Sequence, residues 1–154
     1  MTNIPGADQP LIVIGDTDAL IAVLNQEDTN FQSATRTVNA LIEQDAQILF
    51  PLTTIVETVT TLIRKLNSPQ LASKVVQQVA YGELAIEAVD GELLQSALTV
   101  FDPRGSKKNT LFDALVVACA KQYRTSYIFS FDGWYEKLGF QIVSEAGLRD
   151  EKST

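Results

Sequence analysis

The chain has 154 residues, 45% hydrophobic and 20% charged, enough for one domain with its own core and too apolar for disorder. It contains no histidine, which excludes Ser-His-Asp and Cys-His triads, histidine zinc sites and histidine acid–base ribonuclease chemistry. Nineteen Asp plus Glu against twelve Lys plus Arg leave a net charge of −7, so any nucleic acid must be held by a local basic patch or through bound cations.

Residues 1–10 read as a loose leader. Residues 11–14, LIVI, then run into Gly15 and the polar knot Asp16-Thr17-Asp18. A short unbroken apolar run predicts a strand buried on both faces, as in a parallel sheet covered by helices. Asp16 falls at its carboxyl end, where ligands sit in open α/β sheets. The competing reading is that Asp16 and Thr17 only cap the helix that restarts over 19–24. Asp28-Thr29-Asn30 punctuates the chain, and apolar residues at helical spacing predict a helix over 31–44. A second strand over 48–50 ends at Pro51. Ile55, Val59, Leu62, Ile63 and Leu66 make one face of a helix over 53–66. Ser68-Pro69 supplies the cap and first residue of a helix reaching about residue 81.

A third strand is expected over 84–89, interrupted by Glu87, and Asp90 can cap the helix that follows to Phe101. The loop over 102–109 carries Pro103, Gly105 and three basic residues, Arg104, Lys107 and Lys108. Asn109 or Thr110 then caps a helix over 111–124. A fourth strand over 127–131, a short helix over 134–138 and a fifth strand over 141–143 precede a polar tail over 145–154. Strands alternating with helices predict a single three-layer α/β domain over 1–154. Its sheet is mostly parallel and roughly five-stranded, with helices on both faces and right-handed crossovers.

Four acids interrupt apolar contexts near element boundaries. Asp16 ends the first strand. Glu57 lies early in the helix after the second strand, where Thr54-Ile55-Val56-Glu57 also matches a capping box. Asp113 is the one charge in LFDALVVACA, residues 111–120, a helix apolar enough to be buried on most sides. An ionised carboxylate there needs a partner, because an unpaired buried charge costs several kcal/mol or shifts its pKa. Asp132 follows the fourth strand in Ser130-Phe131-Asp132, where it could cap the next short helix. In a wound sheet all four positions can converge on the carboxyl-terminal edge. Clustered carboxylates repel unless divalent cations bind between them, and hard oxygen ligands select Mg²⁺ or Mn²⁺.

This ordered set resembles the PIN-domain ribonucleases, and within them the VapC-type toxins of toxin–antitoxin pairs. The resemblance runs from about residue 11 to residue 143. It rests on the strand ending in Asp16-Thr17, on Glu57, on Asp113-Ala114 opening an apolar helix, and on Ser130-Phe131-Asp132. It implies a catalytic and metal-binding quartet of Asp16, Glu57, Asp113 and Asp132, with Thr17 and Ser130 as supporting hydroxyls. Asp18 departs from the family pattern, which usually has a small polar or neutral residue there. The implied activity is Mg²⁺- or Mn²⁺-dependent endonucleolytic cleavage of RNA by an activated water. The implied partners are an RNA substrate, a small antitoxin and a second copy in a homodimer. Arg104, Lys107 and Lys108 are candidates for contacting RNA, since their loop leads into the Asp113 helix.

Two other classes stay open on the residues alone. Asp16-Thr17-Asp18 after a buried strand also matches the Asp-x-Asp of haloacid-dehalogenase-type phosphatases, with Asp16 as nucleophile and Asp18 as acid. Leu20 and the lack of a late acidic pair disagree with that pattern. A PIN-like binding domain without turnover is the non-enzymatic alternative. No apolar run approaches the ~20 residues that span a bilayer, and no basic-then-apolar signal opens the chain. Cys119 is the single cysteine and cannot form an internal disulfide, so a cytoplasmic protein without membrane contact is expected.

Overall fold

A computed structural model describes residues 9–152, so all but the last two residues of the expected leader lie outside the described residues. Five strands form one sheet: β1 (Ile12–Gly15), β2 (Gln47–Pro51), β3 (Ala85–Glu87), β4 (Tyr127–Phe129) and β5 (Gln141–Ile142). The helices are α1 (Thr17–Leu24), α2 (Phe31–Glu43), α3 (Leu52–Arg64), α4 (Pro69–Ala80), α5 (Gly91–Leu98), α6 (Leu111–Gln122), α7 (Trp134–Lys137) and α8 (Glu145–Lys152). The strand order is β3-β2-β1-β4-β5, and every neighbouring pair is parallel. The expected α/β architecture is present, with a sheet parallel throughout.

β1 takes the centre because its run is apolar on both sides: Val13 and Ile14 are fully buried. Neighbouring strand residues face opposite ways. Val13, Phe129 and Val143 pack against α1, α2 and α8, while Phe50 packs between α1, α3 and α4 on the same face. Ile14, Leu49 and Ile128 face α6 and Tyr135 of α7. α5 then covers the outer side of α6 through Leu93 and Ala97. This sandwiching explains why Ala114 to Ala120 are all buried in a helix whose sequence shows little amphipathicity. A side chain at Gly15 would meet the Phe50 ring, with a Cβ only 2.2 Å from Phe50 Cε1. Glycine at the end of β1 is therefore a packing requirement of its neighbour strand.

The chain runs from β1 outward to β2 and β3, then returns to lay β4 on the other side of β1. The direction of winding reverses between β1 and β4, and the adjoining ends of those two strands flank a crevice.

Several boundaries move. α1 begins at Thr17, with Asp16 as its cap, rather than at residue 19. α3 begins at Leu52, directly after Pro51, so Glu57 lies in its second turn and the Thr54 capping box does not form. β3 stops at Glu87 and β4 at Phe129, each two residues short of expectation. The expected polar tail is corrected to α8 over most of its length. Leu148, its one large apolar side chain, is buried in the cluster of α1 and α2, and its carbonyl accepts from Gln44 Nε2 at 2.5 Å. Arg36 pairs with Glu145 at 3.2 Å, a surface contact worth little by itself. Among the described residues no helix is long and apolar enough to cross a membrane.

Candidate active site

Asp16 sits where β1 hands over to α1. Its N–H still pairs with the Phe129 carbonyl at 3.0 Å, and its Oδ1 accepts from Thr17 N at 2.7 Å. Both outcomes of the sequence reading thus coexist: Asp16 is a helix cap, and its second oxygen points into the crevice. That Oδ2 accepts from the Tyr135 hydroxyl at 2.8 Å, with Ser130 Oγ 3.2 Å away. Only 4% of Asp16 is exposed. Burial, then the charges of Asp18 and Asp113, push its pKa up to about 8, against the opposing hydrogen bonds from Tyr135 and Thr17.

Asp113 behaves in the same double way. Its Oδ2 accepts from Thr110 N at 2.8 Å, closing the first turn of α6, and its Oδ1 lies 3.4 Å from the Tyr135 hydroxyl. Burial raises its pKa to about 6, with Glu57 and Asp132 adding to the effect and the Thr110 N–H opposing it. Asp132 accepts from Trp134 N at 2.9 Å on Oδ1 and from Asn109 Nδ2 at 3.0 Å on Oδ2. Asn109, weighed in the sequence as a cap, instead ties the basic loop to this acid, and Thr110 takes the cap position.

Asp18 is tied across the crevice. Its Oδ2 accepts from Phe131 N at 2.9 Å, and Ser130 Oγ lies 3.1 Å from both of its oxygens. Burial is the main reason that its pKa is raised. Ser130 has one proton to give to Asp16 or Asp18, while accepting from Asp132 N at 3.0 Å. It and Asp132 meet through this turn rather than through strand alternation, because β4 has already ended. Glu57 is half-buried, with a pKa raised by burial and then lowered by a hydrogen bond from Thr17 and by the charge of Lys65.

These side chains share one open cavity of about 510 Å³. Its lining includes Asp16, Thr17, Asp18, Glu57, Asp113 and Asp132, brought from four separate stretches of chain. Ser130 lies behind them, buried. Lys107 and Lys108 line the cavity from the loop side, whereas Arg104 does not line it. The structure adds two residues that the sequence reading missed. Lys65 lines the cavity from the end of α3, four and eight residues beyond Thr61 and Glu57 on the same helix face. Tyr135 reaches the acids from beneath, through the core. Neither carried a signal of its own: a lysine in the last turn of a helix suits the helix dipole, and a tyrosine beside a tryptophan reads as core.

Divalent-ion binding needs oxygen donors that are close together and otherwise short of counter-charge. The donors here are carboxylates, and burial raises the pKa of Asp16, Asp18, Glu57 and Asp113, which fits a hard cation. Among the described residues no group of three or more such acids is already drawn in to metal-ligating distances. One oxygen each of Asp16, Asp18, Asp113 and Asp132 is held by a backbone N–H.

The model of the PIN domain family matches residues 13–141, which includes every acid lining this cavity. The chain belongs to the PIN domain family. Solved structures share this PIN fold. That of the Mycobacterium tuberculosis toxin VapC20, a sarcin–ricin loop cleaving toxin, matches with a TM-score of 0.72 at 21% identity, over 86% of this chain and 98% of its own. No curated protein sequence matches the chain significantly. Membership of the PIN family removes the dehalogenase-type alternative. The Asp18 carboxylate, which that chemistry needs as a free acid, is engaged by Phe131 N and Ser130.

Proposed function

We propose that this PIN domain is a divalent-metal-dependent endoribonuclease and the toxin of a VapC-type toxin–antitoxin pair. The observation that carries the reading is the lining of the cavity: carboxylates from four separate stretches of chain around one opening, with lysines on two of its sides. Asp16, Asp113 and Asp132 would hold Mg²⁺ or Mn²⁺, with Glu57 completing the set. When bound, such an ion supplies a water of lowered pKa and positive charge opposite the leaving oxygen. Glu57, its acidity weakened by burial, accepts a hydrogen bond from the attacking water and orients it. Thr17 lies beside Glu57, and the Ser130 hydroxyl sits between Asp16 and Asp18, donating to one of them. The products of such an attack are a 5′-phosphate and a free 3′-hydroxyl.

VapC20 cleaves an RNA loop on the same fold, and RNA is the substrate class proposed here. The reading also includes a cytoplasmic location, a homodimer and a small antitoxin. The net charge of −7 suits a basic antitoxin side chain entering the acidic cavity. Leu94 and Phe112 stand exposed at an apolar cleft of about 540 Å³ between α5 and α6, surface of the kind that protein partners cover.

Purified protein is tested on labelled RNA with Mg²⁺ or Mn²⁺ and with chelator. Cleavage confined to the metal-containing reactions is expected. Persistence in chelator defeats the mechanism, and metal binding without cleavage turns the domain into a binding module.

The three lysines give a separate expectation. With each phosphate contact on a single strand contributing about 0.7 to the slope of log affinity on log salt, replacing Lys65, Lys107 and Lys108 with Ser should flatten that slope by about 2. Binding is measured in chelator, so that no cleavage intervenes. Arg104→Ser, outside the cavity, should leave the slope unchanged. A triple variant with the parental slope would make the lysines bystanders.

A further inference from the structure

Tyr135 is fully exposed to the core and not at all to solvent: its ring has 0% accessibility, packing with Ile14, Ile128, Val116 and Val117 and edge-on to Trp134 at 5.2 Å. A phenol hydroxyl carried into such a place costs free energy unless it is bonded, and phenylalanine would fill the same space without that cost. The hydroxyl emerges at one point only. It donates to Asp16 Oδ2 at 2.8 Å and lies 3.4 Å from Asp113 Oδ1.

The opposite oxygens of those two acids are already fixed, Asp16 Oδ1 by Thr17 N and Asp113 Oδ2 by Thr110 N. A carboxylate pinned at one oxygen can still rotate about that anchor. The Tyr135 hydroxyl removes this freedom from Asp16 and lies beside the free oxygen of Asp113, from a ring that the core does not allow to move. β1 and α6 thereby present their acids in a common orientation that neither element sets alone.

We propose that Tyr135 is a positioning residue, whose hydroxyl orients the facing oxygens of Asp16 and Asp113 for a divalent cation. It is not a ligand, and it does not touch the reacting atoms. The proposal rests on reading the cavity as a metal site. Groups that hydrogen-bond to ligating carboxylates typically set metal affinity by about 10–100-fold.

The test is a Mn²⁺ titration by calorimetry of the full chain, its Tyr135→Phe variant and its Asp113→Asn variant. Tyr135→Phe should bind Mn²⁺ about 10–100-fold more weakly while keeping the parental circular dichroism. Its RNA cleavage should recover as Mn²⁺ is raised, with KM for RNA unchanged. A purely structural tyrosine would instead lower the melting temperature, with the Mn²⁺ affinity unmoved. Equal affinity in the parent and in Tyr135→Phe, with binding lost in Asp113→Asn, overturns the role of the hydroxyl and leaves the metal site standing. Absence of Mn²⁺ binding by the parent overturns both. Should Tyr135→Phe lose its native circular dichroism, Ser130→Ala provides the control: a loss of Mn²⁺ affinity as large as that from Asp113→Asn would assign the orienting role to Ser130 and overturn the proposal.

Discussion

Asp16→Asn and Asp113→Asn are each expected to lower metal-dependent RNA cleavage by roughly a hundredfold to a thousandfold, the scale on which one preorganised electrostatic contact acts in an enclosed site. Asparagine is the informative replacement because both acids have two functions. The amide oxygen can still accept from Thr17 N at residue 16 and from Thr110 N at residue 113, so the helix caps survive. What disappears is the negative charge facing the cavity. Alanine would remove cap and charge together, and a loss of activity would then report on neither. Single-turnover cleavage of labelled RNA at saturating Mg²⁺ or Mn²⁺, beside circular dichroism of each variant, makes the measurement. Near-parental rates in either variant would remove that acid from the mechanism.

The second large effect needs no substrate. Asp16 has its pKa pushed up to about 8 in the folded chain and Asp113 to about 6, against ordinary carboxylate values of 3.8 in the unfolded chain. Between those limits the folded state holds protons that the unfolded state has released. The slope of stability on pH is then negative: the contribution is complete below about pH 4 and is lost as pH rises towards 8. The metal-free protein should therefore melt at progressively lower temperature from pH 4 to pH 8. Asp16→Asn should flatten most of that decline and Asp113→Asn the part below about pH 6, both raising the melting temperature at pH 8. At this chain length each kcal/mol moves the midpoint by about 2–4 °C, which thermal melts resolve. Mg²⁺ should reverse the loss at pH 8, by about 2.7 kcal/mol at a hundredfold excess over its dissociation constant, and much less in either variant. Acids acting only as separate helix caps would give the other pattern, with no fall in stability from pH 4 to pH 8 and no response to Mg²⁺. Melts in metal-free buffer at several pH values, repeated across a Mg²⁺ titration, separate the two.

The parts of this protein that sequence made legible are those where one physical demand dominates. LIVI before Gly15 has to be a doubly covered strand, and it is the centre of the sheet. Asp113 stands out because the nine other residues of LFDALVVACA are apolar and leave a charge nowhere bland to go. The parallel sheet covered by helices followed from alternation of elements, whereas its strand order β3-β2-β1-β4-β5 is seen only in the structure. Glu57 was less legible: Thr54 and Glu57 have the spacing of a capping box, but Pro51 starts α3 early and leaves that pattern in the helix interior. α8 could not be read, because Leu148 is the one large apolar residue in its sequence and one apolar residue sets no period. Tyr135 was invisible for a different reason. Its hydroxyl meets acids placed 119 and 22 positions away in sequence, a meeting that no local pattern encodes. Asp18 gave the opposite lesson, since an acid that suggested other chemistry is engaged by Phe131 N across the crevice.

The crevice between β1 and β4 has a consequence for timing. Asp16 belongs to the first strand laid down in the chain and Asp132 to the turn after the fourth, so the cavity draws on both ends of the domain. During synthesis the amino-terminal acids leave the ribosome first, without Ser130, Asp132 or Tyr135 to close around them. On the proposed function, a copy that ends before β4 holds Asp16 and Glu57 without Asp132 and is expected not to cut RNA. On that proposal, the cavity is complete only once the last third of the chain has docked.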